Sequence, residues 1–525
     1  MKSSINCLIV GCNEMDVARH LSYIRLKGGS TSEYEYNLKN CAYIENNPYS
    51  LGEFSSRYLG MPYSECDSIP REIASIATYL YEKEFQIEMI DSFQRQKQYI
   101  IDILAKKHVH TILIPTDMYH SIIPIRDMIS FFKTHSFHVP IILSGNVIIN
   151  ETNHSQPDHY VQSVLNSLGG DYYVAEHSPE RAIGEIIEHV VQQKALGHGN
   201  NVFYKENGHF VKSSLVNIEN ETYSRRVDWR LFTDQLHGPI FTMASASCSF
   251  SCSFCSHPRR KSSHRSLSIK NVEDELNSIA ACNNVNTVFF SDDTFNVPLS
   301  RFKEILQLII QKKYKFHWFS FIRCQYLDEE TVKLMKEARC RGVYLGIESG
   351  DQDMLDRMNK GVSVSDYRQG IQLLKQYDIM TIASLIIGFP GEDHCSIDHT
   401  INFINETKPD FVIPLLWFYS SLAPVERDKR KLAIQGAGYN WKHCSMDVQE
   451  ALKCIDKLLF GIYESVCVPD FRFSYKGLIT LLDKGLSIME LKSLVTKFNE
   501  YRKNRQLERN HNYEHLGCNP KTAKT

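Results

Sequence analysis

The chain has 525 residues, 43% hydrophobic and 23% charged, which suits an ordinary globular protein of two or three domains. A formal net charge of -2 argues against a nucleic-acid polyanion as the main partner. The most apolar stretches, such as 411–424, are too short for a membrane span. The start Met1-Lys2-Ser3-Ser4 lacks a secretory pattern, and fifteen cysteines without a leader are expected to be reduced thiols in a cytoplasmic protein.

Residues 5–11 read as a buried strand ending in a glycine turn. The stretch 41–67 is aromatic-rich, carries Asn-Asn-Pro and Gly-Met-Pro breaks, and reads as irregular. A helix is expected from Pro70, with Ile73, Ile76, Ala77, Leu80 and Tyr81 at helical spacing. Strands follow at 85–91, 110–115, 139–145 and 169–174, with helices at 100–107, 124–134 and 179–193. This alternation predicts an α/β domain over 1–196 with a doubly wound, Rossmann-like parallel sheet. Such sheets bind ligands at the carboxyl ends of their strands. Those ends carry Asn13 in Gly11-Cys12-Asn13-Glu14, Asp91-Ser92, Pro115-Thr116, and Ser144-Gly145 before Asn146. An empty scaffold would show the same pattern. Residues 197–235 are polar, with Asn-Gly and Asn-Glu-Asn turns, and read as a connector.

Over 236–430, strand and helix alternate six times. The strands fall at 239–245, 287–291, 316–323, 342–347, 380–387 and 411–415, and the helices at 272–281, 300–312, 328–338, 362–376 and 396–406. Six βα units predict a partial (β/α)6 TIM-like barrel with its chemistry at the carboxyl rim. Residues 431–525 are expected to form a small, mainly helical part ending in a polar tail from Arg505. Trp417, Tyr419 and His443 are candidates for substrate contact, or equally for an aromatic capping layer.

Just past the first barrel strand stand Cys248, Cys252 and Cys255, spaced C-x3-C-x2-C, with Phe254 before the third. One loop can thereby offer three thiolates to three irons of a cubane and leave the fourth iron open to a small molecule. The alternative is a zinc site completed by His257, or three free core thiols. Polar groups end the other strands. They are Asp292 and Asp293, Arg323, Glu348 with Ser349, and Gly388 in a segment that begins at Ser384. A carboxylate at 292–293 suits a ligand ammonium, and the Arg323 fork suits a carboxylate.

The cysteine loop resembles the signature of the radical SAM superfamily, and the strand ends resemble its positions for S-adenosylmethionine (SAM). The resemblance implies a [4Fe–4S] cluster on Cys248, Cys252 and Cys255. It further implies SAM held by Asp292, Asp293, Arg323, Glu348, Ser349, Ser384 and Gly388, and reductive cleavage to a 5′-deoxyadenosyl radical. Ser384 stands where that family usually has glycine. The order of parts resembles the subclass with a cobalamin-binding domain ahead of the barrel, which implies cobalamin near Asn13, Ser144 and Gly145. The motif Asp-x-His-x-x-Gly, which supplies a histidine to cobalt, is missing. Asp292–Lys303, Arg323-Cys324 and Gly436–Met446 look like the phosphinothricin-type P-methyltransferases. The implied function is a cobalamin-dependent radical SAM methyltransferase. It would act on a poorly nucleophilic carbon or phosphorus of a small-molecule biosynthetic intermediate, with a flavodoxin or ferredoxin as reductant. Two alternatives remain: a radical SAM enzyme performing rearrangement, cyclisation or oxidation without methyl transfer, and a non-enzymatic metal-binding scaffold.

Overall fold

In a computed structural model, residues 4–14, 16–26, 30–119, 122–135, 138–152, 156–196, 201–213, 226–246, 248–256, 265–470 and 474–515 are described. Residues 214–225 of the expected connector, His257 and the last ten residues of the expected tail lie outside them. The chain divides into two compact units. One comprises 1–15, 64–241 and 267–285, and the other 16–63, 242–266 and 286–525.

The first unit is built on a seven-stranded sheet. Its order is Ile87–Ser92, Ser4–Cys12, His108–Pro115, Ile141–Ser144, Tyr172–Val174, Val202–Glu206, His209–Lys212. The first five strands run parallel. They are short apolar runs, and Leu8, Val10, Ile112, Ile114 and Leu143 are sealed in one core with Phe132 and Tyr173. The strand order reverses between Ser4–Cys12 and His108–Pro115, the topological switch point where such sheets take ligands.

The last two strands extend the expected parallel sheet beyond residue 196. They form an antiparallel hairpin on its edge, drawn from the stretch read as connector. Asn207 and Gly208, with φ of 50° and 84°, make the tight turn, and Phe203 and Phe210 pack inward.

The second sheet also has seven strands, ordered Ile240–Thr242, Thr287–Phe290, His317–Ile322, Cys340–Glu348, Met380–Ile387, Phe411–Leu416 and Val466–Cys467. From Thr287 onward the neighbouring strands run parallel. Six strands were expected. The seventh, Val466–Cys467, is only two residues long, too short to show a period. The stretch 41–67, expected to be irregular, holds a hairpin of Ala42–Ile44 and Asn47–Tyr49 and the helix Leu51–Leu59, which with the preceding helix Thr31–Lys39 belong to the second unit. Ser50 and Glu53 form a reciprocal capping box at the last helix. No described helix is long and apolar enough to cross a membrane.

Candidate active site

The cysteine loop is fastened from two sides. Ser253 N donates to Met358 O at 2.8 Å, and Val425 N donates to Ser253 O at 2.9 Å. Asn359 Nδ2 donates to Ser251 O at 3.0 Å. These bonds fix the loop backbone independently of its thiols. Cys252 is buried, and burial pushes its thiol up while the Lys360 and Arg323 charges pull it back. Cys248 Sγ lies 3.3 Å from Thr294 Oγ1, and Arg323 Nη2 lies 3.7 Å from Cys252 Sγ.

Arg323 is buried among specific contacts. Its backbone and Asn296 clasp each other, Asn296 Nδ2 donating to Arg323 O at 2.8 Å and Arg323 N to Asn296 Oδ1 at 2.9 Å. The guanidinium carbon sits 3.6 Å from the centre of the Phe250 ring, and Nη2 donates to Lys360 O at 2.7 Å. Its Nη1 is buried with no hydrogen-bond partner among the described residues. An unmet charged donor at this mouth suits an incoming carboxylate.

Glu348 ends its strand in the left-handed region, φ 65°. Strain of this kind is costly for a side-chain-bearing residue and collects at functional sites. Its carboxylate pairs with Lys360 Nζ at 2.7 Å, both side chains 9% exposed. The sequence showed no sign of Lys360, which lies in a turn twelve residues on. Gly346 makes room for the pair, since a Cβ there would stand 2.6 Å from Glu348 Oε1 and 2.9 Å from Lys360 Nζ. Ser384 Oγ reaches Glu348 Oε2 at 3.5 Å.

Other candidates are more committed. Asp292 accepts from Ala244 N at 2.9 Å and Ser245 Oγ at 2.6 Å, so it braces the approach to the cysteine loop. Burial raises its carboxyl to about 6 against those bonds. Ser349 Oγ is engaged with Thr400 Oγ1 at 3.2 Å and Asp351 N at 3.2 Å. Gly388, φ 93°, passes beneath Trp441, where a Cβ would lie 2.4 Å from the ring. Its N–H donates to the buried Glu392, and His443 Nε2 meets its carbonyl at 2.9 Å. His443 Nδ1 receives the amides of Ser445 and Met446, both at 3.4 Å, which assigns the proton to Nε2. Burial lowers its pKa. With both nitrogens engaged and its ring stacked 5.0 Å from Trp441, His443 is a strut of the fifth-strand loop. Trp417 and Tyr419 are buried in the same layer, Tyr419 bonded to Glu426.

Among the described residues, no three His, Cys, Asp or Glu side chains converge on one metal-ion position. A single zinc draws its thiolates to about 4 Å of one another, whereas a cubane meets each through a different iron. His257, the fourth ligand of the zinc alternative, lies outside the described residues.

The rim of the first sheet is different in kind. Asn13 is saturated: its Nδ2 donates to Pro124 O at 2.8 Å and Asp127 Oδ2 at 3.3 Å, and its Oδ1 accepts from Gln94 at 2.6 Å. Ser144 Oγ, Asp91 Oδ1 and Glu176 Oε1, all at strand ends, are buried with no hydrogen-bond partner among the described residues. Gly145, φ 104°, packs on Asp117, where a Cβ would fall 2.2 Å from Oδ2. Burial raises Asp91 to about 6 and Glu176 to about 8. Unmet polar atoms at this edge are what a polar ligand would satisfy.

Residues 244–404 match the radical SAM superfamily. An uncharacterized methyltransferase of Pyrococcus horikoshii is 30% identical over 170 residues, covering 32% of this chain and 37% of its own. The anaerobic magnesium-protoporphyrin IX monomethyl ester cyclase of Rubrivivax gelatinosus is 28% identical over 165 residues, 31% of this chain and 30% of its own. The chain thus spans about a third of the length of these curated relatives. The radical SAM methyltransferase TsrM of Kitasatospora setae, solved with cobalamin and a [4Fe-4S] cluster, superposes with a TM-score of 0.64. The match covers 96% of this chain and all of that one at 12% identity. The cobalamin-dependent radical SAM enzyme OxsB superposes with a TM-score of 0.53 over 76% of this chain and 52% of its own, at 14% identity. The chain therefore carries a radical SAM domain at 244–404, set in a fold that it shares with TsrM almost from end to end.

Proposed function

We propose that this protein is a cobalamin-dependent radical SAM methyltransferase that methylates a poorly nucleophilic carbon or phosphorus of a small molecule. One observation carries the reading. A sheet with a ligand-binding switch point, its strand ends left with unmet polar atoms, precedes a radical SAM domain in one chain. The likeness to TsrM over both parts supports it.

In this reading Cys248, Cys252 and Cys255 hold the cluster, with Arg323 and Lys360 offsetting thiolate charge beside Cys252. The free Nη1 of Arg323 takes the SAM carboxylate. Asp293 takes the ammonium, Glu348 and Ser384 face the ribose, and the backbone at Gly388 borders the adenine. Asp292 and Ser349 shape this site through the loops they brace. Ser144, Gly145 and Glu176 border the corrinoid, Glu176 in its neutral form donating a hydrogen bond, while Asn13 fixes the loop beneath. When bound, the cluster supplies the electron that cleaves SAM and the corrinoid supplies a transferable methyl group. A flavodoxin- or ferredoxin-type reductant delivers the electron.

Oxygen-free protein, with iron, sulfide and corrinoid quantified, tests this directly. Retained corrinoid, with S-adenosylhomocysteine formed from SAM on its reduction, is the expected result. Cluster-replete protein that retains no corrinoid would overturn the methyltransferase reading and leave SAM cleavage without methyl transfer.

A further inference from the structure

The second unit holds a side-chain cluster apart from the positions assigned to cluster and SAM. On the strand Cys340–Glu348, Tyr344 and Gly346 keep accessible surface while Val343, Leu345 and Ile347 are sealed. Phe321 and Leu415 do the same on their own strands. Alternate residues of a strand face one side, so these residues line a space on the face that Glu348 shares.

Tyr475, from the helix Ser474–Asp483, closes that space. Its ring lies 5.2 Å from Tyr344, 5.2 Å from Phe321 and 5.2 Å from Phe289. Asp470 adds a charge. Its Oδ2 accepts from Tyr36 Oη at 2.9 Å, and that hydroxyl accepts from Leu416 N at 3.2 Å, which seats the pair at the carboxyl end of a sheet strand. Tyr439 stands 5.3 Å from the Tyr36 ring. Burial raises Asp470 to about 7, opposed by its bond to Tyr36. Burial and then the Asp470 charge raise Tyr36 and Tyr439, while burial raises Tyr344, with the Glu348 charge ahead of that of Asp470. Leu415 on that face is next to Leu416, whose N–H reaches Tyr36, so the Asp470–Tyr36 pair stands at the end of the same strand.

A carboxylate flanked by aromatic faces attracts a cation through an ion pair and through ring quadrupoles, and a low-dielectric setting strengthens both. An anionic phosphinate would meet the Asp470 charge at the same position. Resting on the methyltransferase reading, we propose that the Asp470–Tyr36–Tyr439–Tyr344–Tyr475 box receives the protonated amine of the methyl acceptor, which makes the substrate an amine-bearing organic molecule.

The test is equilibrium dialysis of the full chain, purified without oxygen, against three probes of similar size: phenethylamine, 2-phenylethanol and phenylphosphinate. Phenethylamine is expected to bind about tenfold more tightly than the alcohol and more tightly still than the phosphinate. Asp470→Asn should erase the preference for the amine. Tyr475→Leu removes a ring without stranding a charge and should weaken amine binding about threefold. If Asp470→Asn does not fold, the wild-type selectivity and Tyr475→Leu decide. Equal binding of the probes, a preference for the alcohol or the phosphinate, no measurable amine binding, or an amine preference unchanged in the variants would overturn the proposal. Corrinoid retention and S-adenosylhomocysteine formation in the same preparation test the methyltransferase reading separately. Their loss with amine selectivity intact would sink that reading alone.

Discussion

The two sheets end in rims of opposite character. At the rim of the first, Ser144 Oγ, Asp91 Oδ1 and Glu176 Oε1 are buried and unmet, and burial holds both carboxyls above their usual range. At the rim of the second, Glu348 is paired with Lys360 at 2.7 Å, while Arg323 lies against Cys252 and the Phe250 ring with its Nη1 left for an incoming anion. A rim of unmet hydroxyl and carboxyl groups suits a large ligand bristling with amides. A rim of opposed charges suits a small zwitterion and an anionic cluster.

The sharpest way to break this comparison is Cys252→Ala. It should abolish cluster absorbance and SAM cleavage while leaving corrinoid binding at the other rim unchanged. Loss of both would show that the rims are not independent. Next in size is Lys360→Met, which leaves Glu348 buried without its partner and should cost about 3–5 kcal/mol in denaturant unfolding. Adding Glu348→Gln should recover most of that loss. Gly388→Ala forces a Cβ against Trp441 at a positive φ and should cost about 2 kcal/mol, part of it restored by Trp441→Leu.

The smallest effect sharpens the first rim. Glu176 has a folded pKa raised to about 8 from an ordinary 4.5. Its neutral form is favoured by the fold, so its contribution is complete below pH of about 4.5 and is lost as pH rises toward about 8. Glu176→Gln should flatten stability across that window, gaining about 1–2 kcal/mol at its upper end, and keep corrinoid because the amide still donates. A pH profile of the thermal midpoint that is identical in wild type and variant would contradict this.

The five parallel strands of the first sheet and six of the second were legible because buried parallel strands are short continuous apolar runs, and these are bounded by glycine and polar turns. The cysteine loop was legible because its chemistry lies in local spacing. The helices at 31–59 were not, although Ser50 and Glu53 carried a capping-box signal, because Tyr34, Tyr36, Tyr49 and Tyr58 blurred the apolar period. The edge hairpin was readable from Asn207-Gly208 between alternating aromatics, yet its polar faces looked like linker. Lys360, Asn296 and Thr294 were invisible as partners because each acts on a residue that only the fold brings near. For His443, composition could not distinguish a substrate contact from a strut. Its two nitrogens, both bonded to backbone, settle the matter.

The contact between Tyr36 and Asp470 joins residues 434 positions apart, and Arg502 Nε likewise donates to Lys39 O at 2.9 Å. During synthesis at about 5–20 residues per second, the segment 16–63 leaves the ribosome roughly 20–90 s before its packing partners exist. Its tyrosine-rich helices must wait, exposed or chaperoned, while the first sheet assembles from the chain on either side of them. Synthesis of the segment from Val466 to Arg502 is thus the event that completes the packing of residues 16–63, and a nascent chain stalled near residue 450 would hold a formed first sheet with that early segment still susceptible to protease.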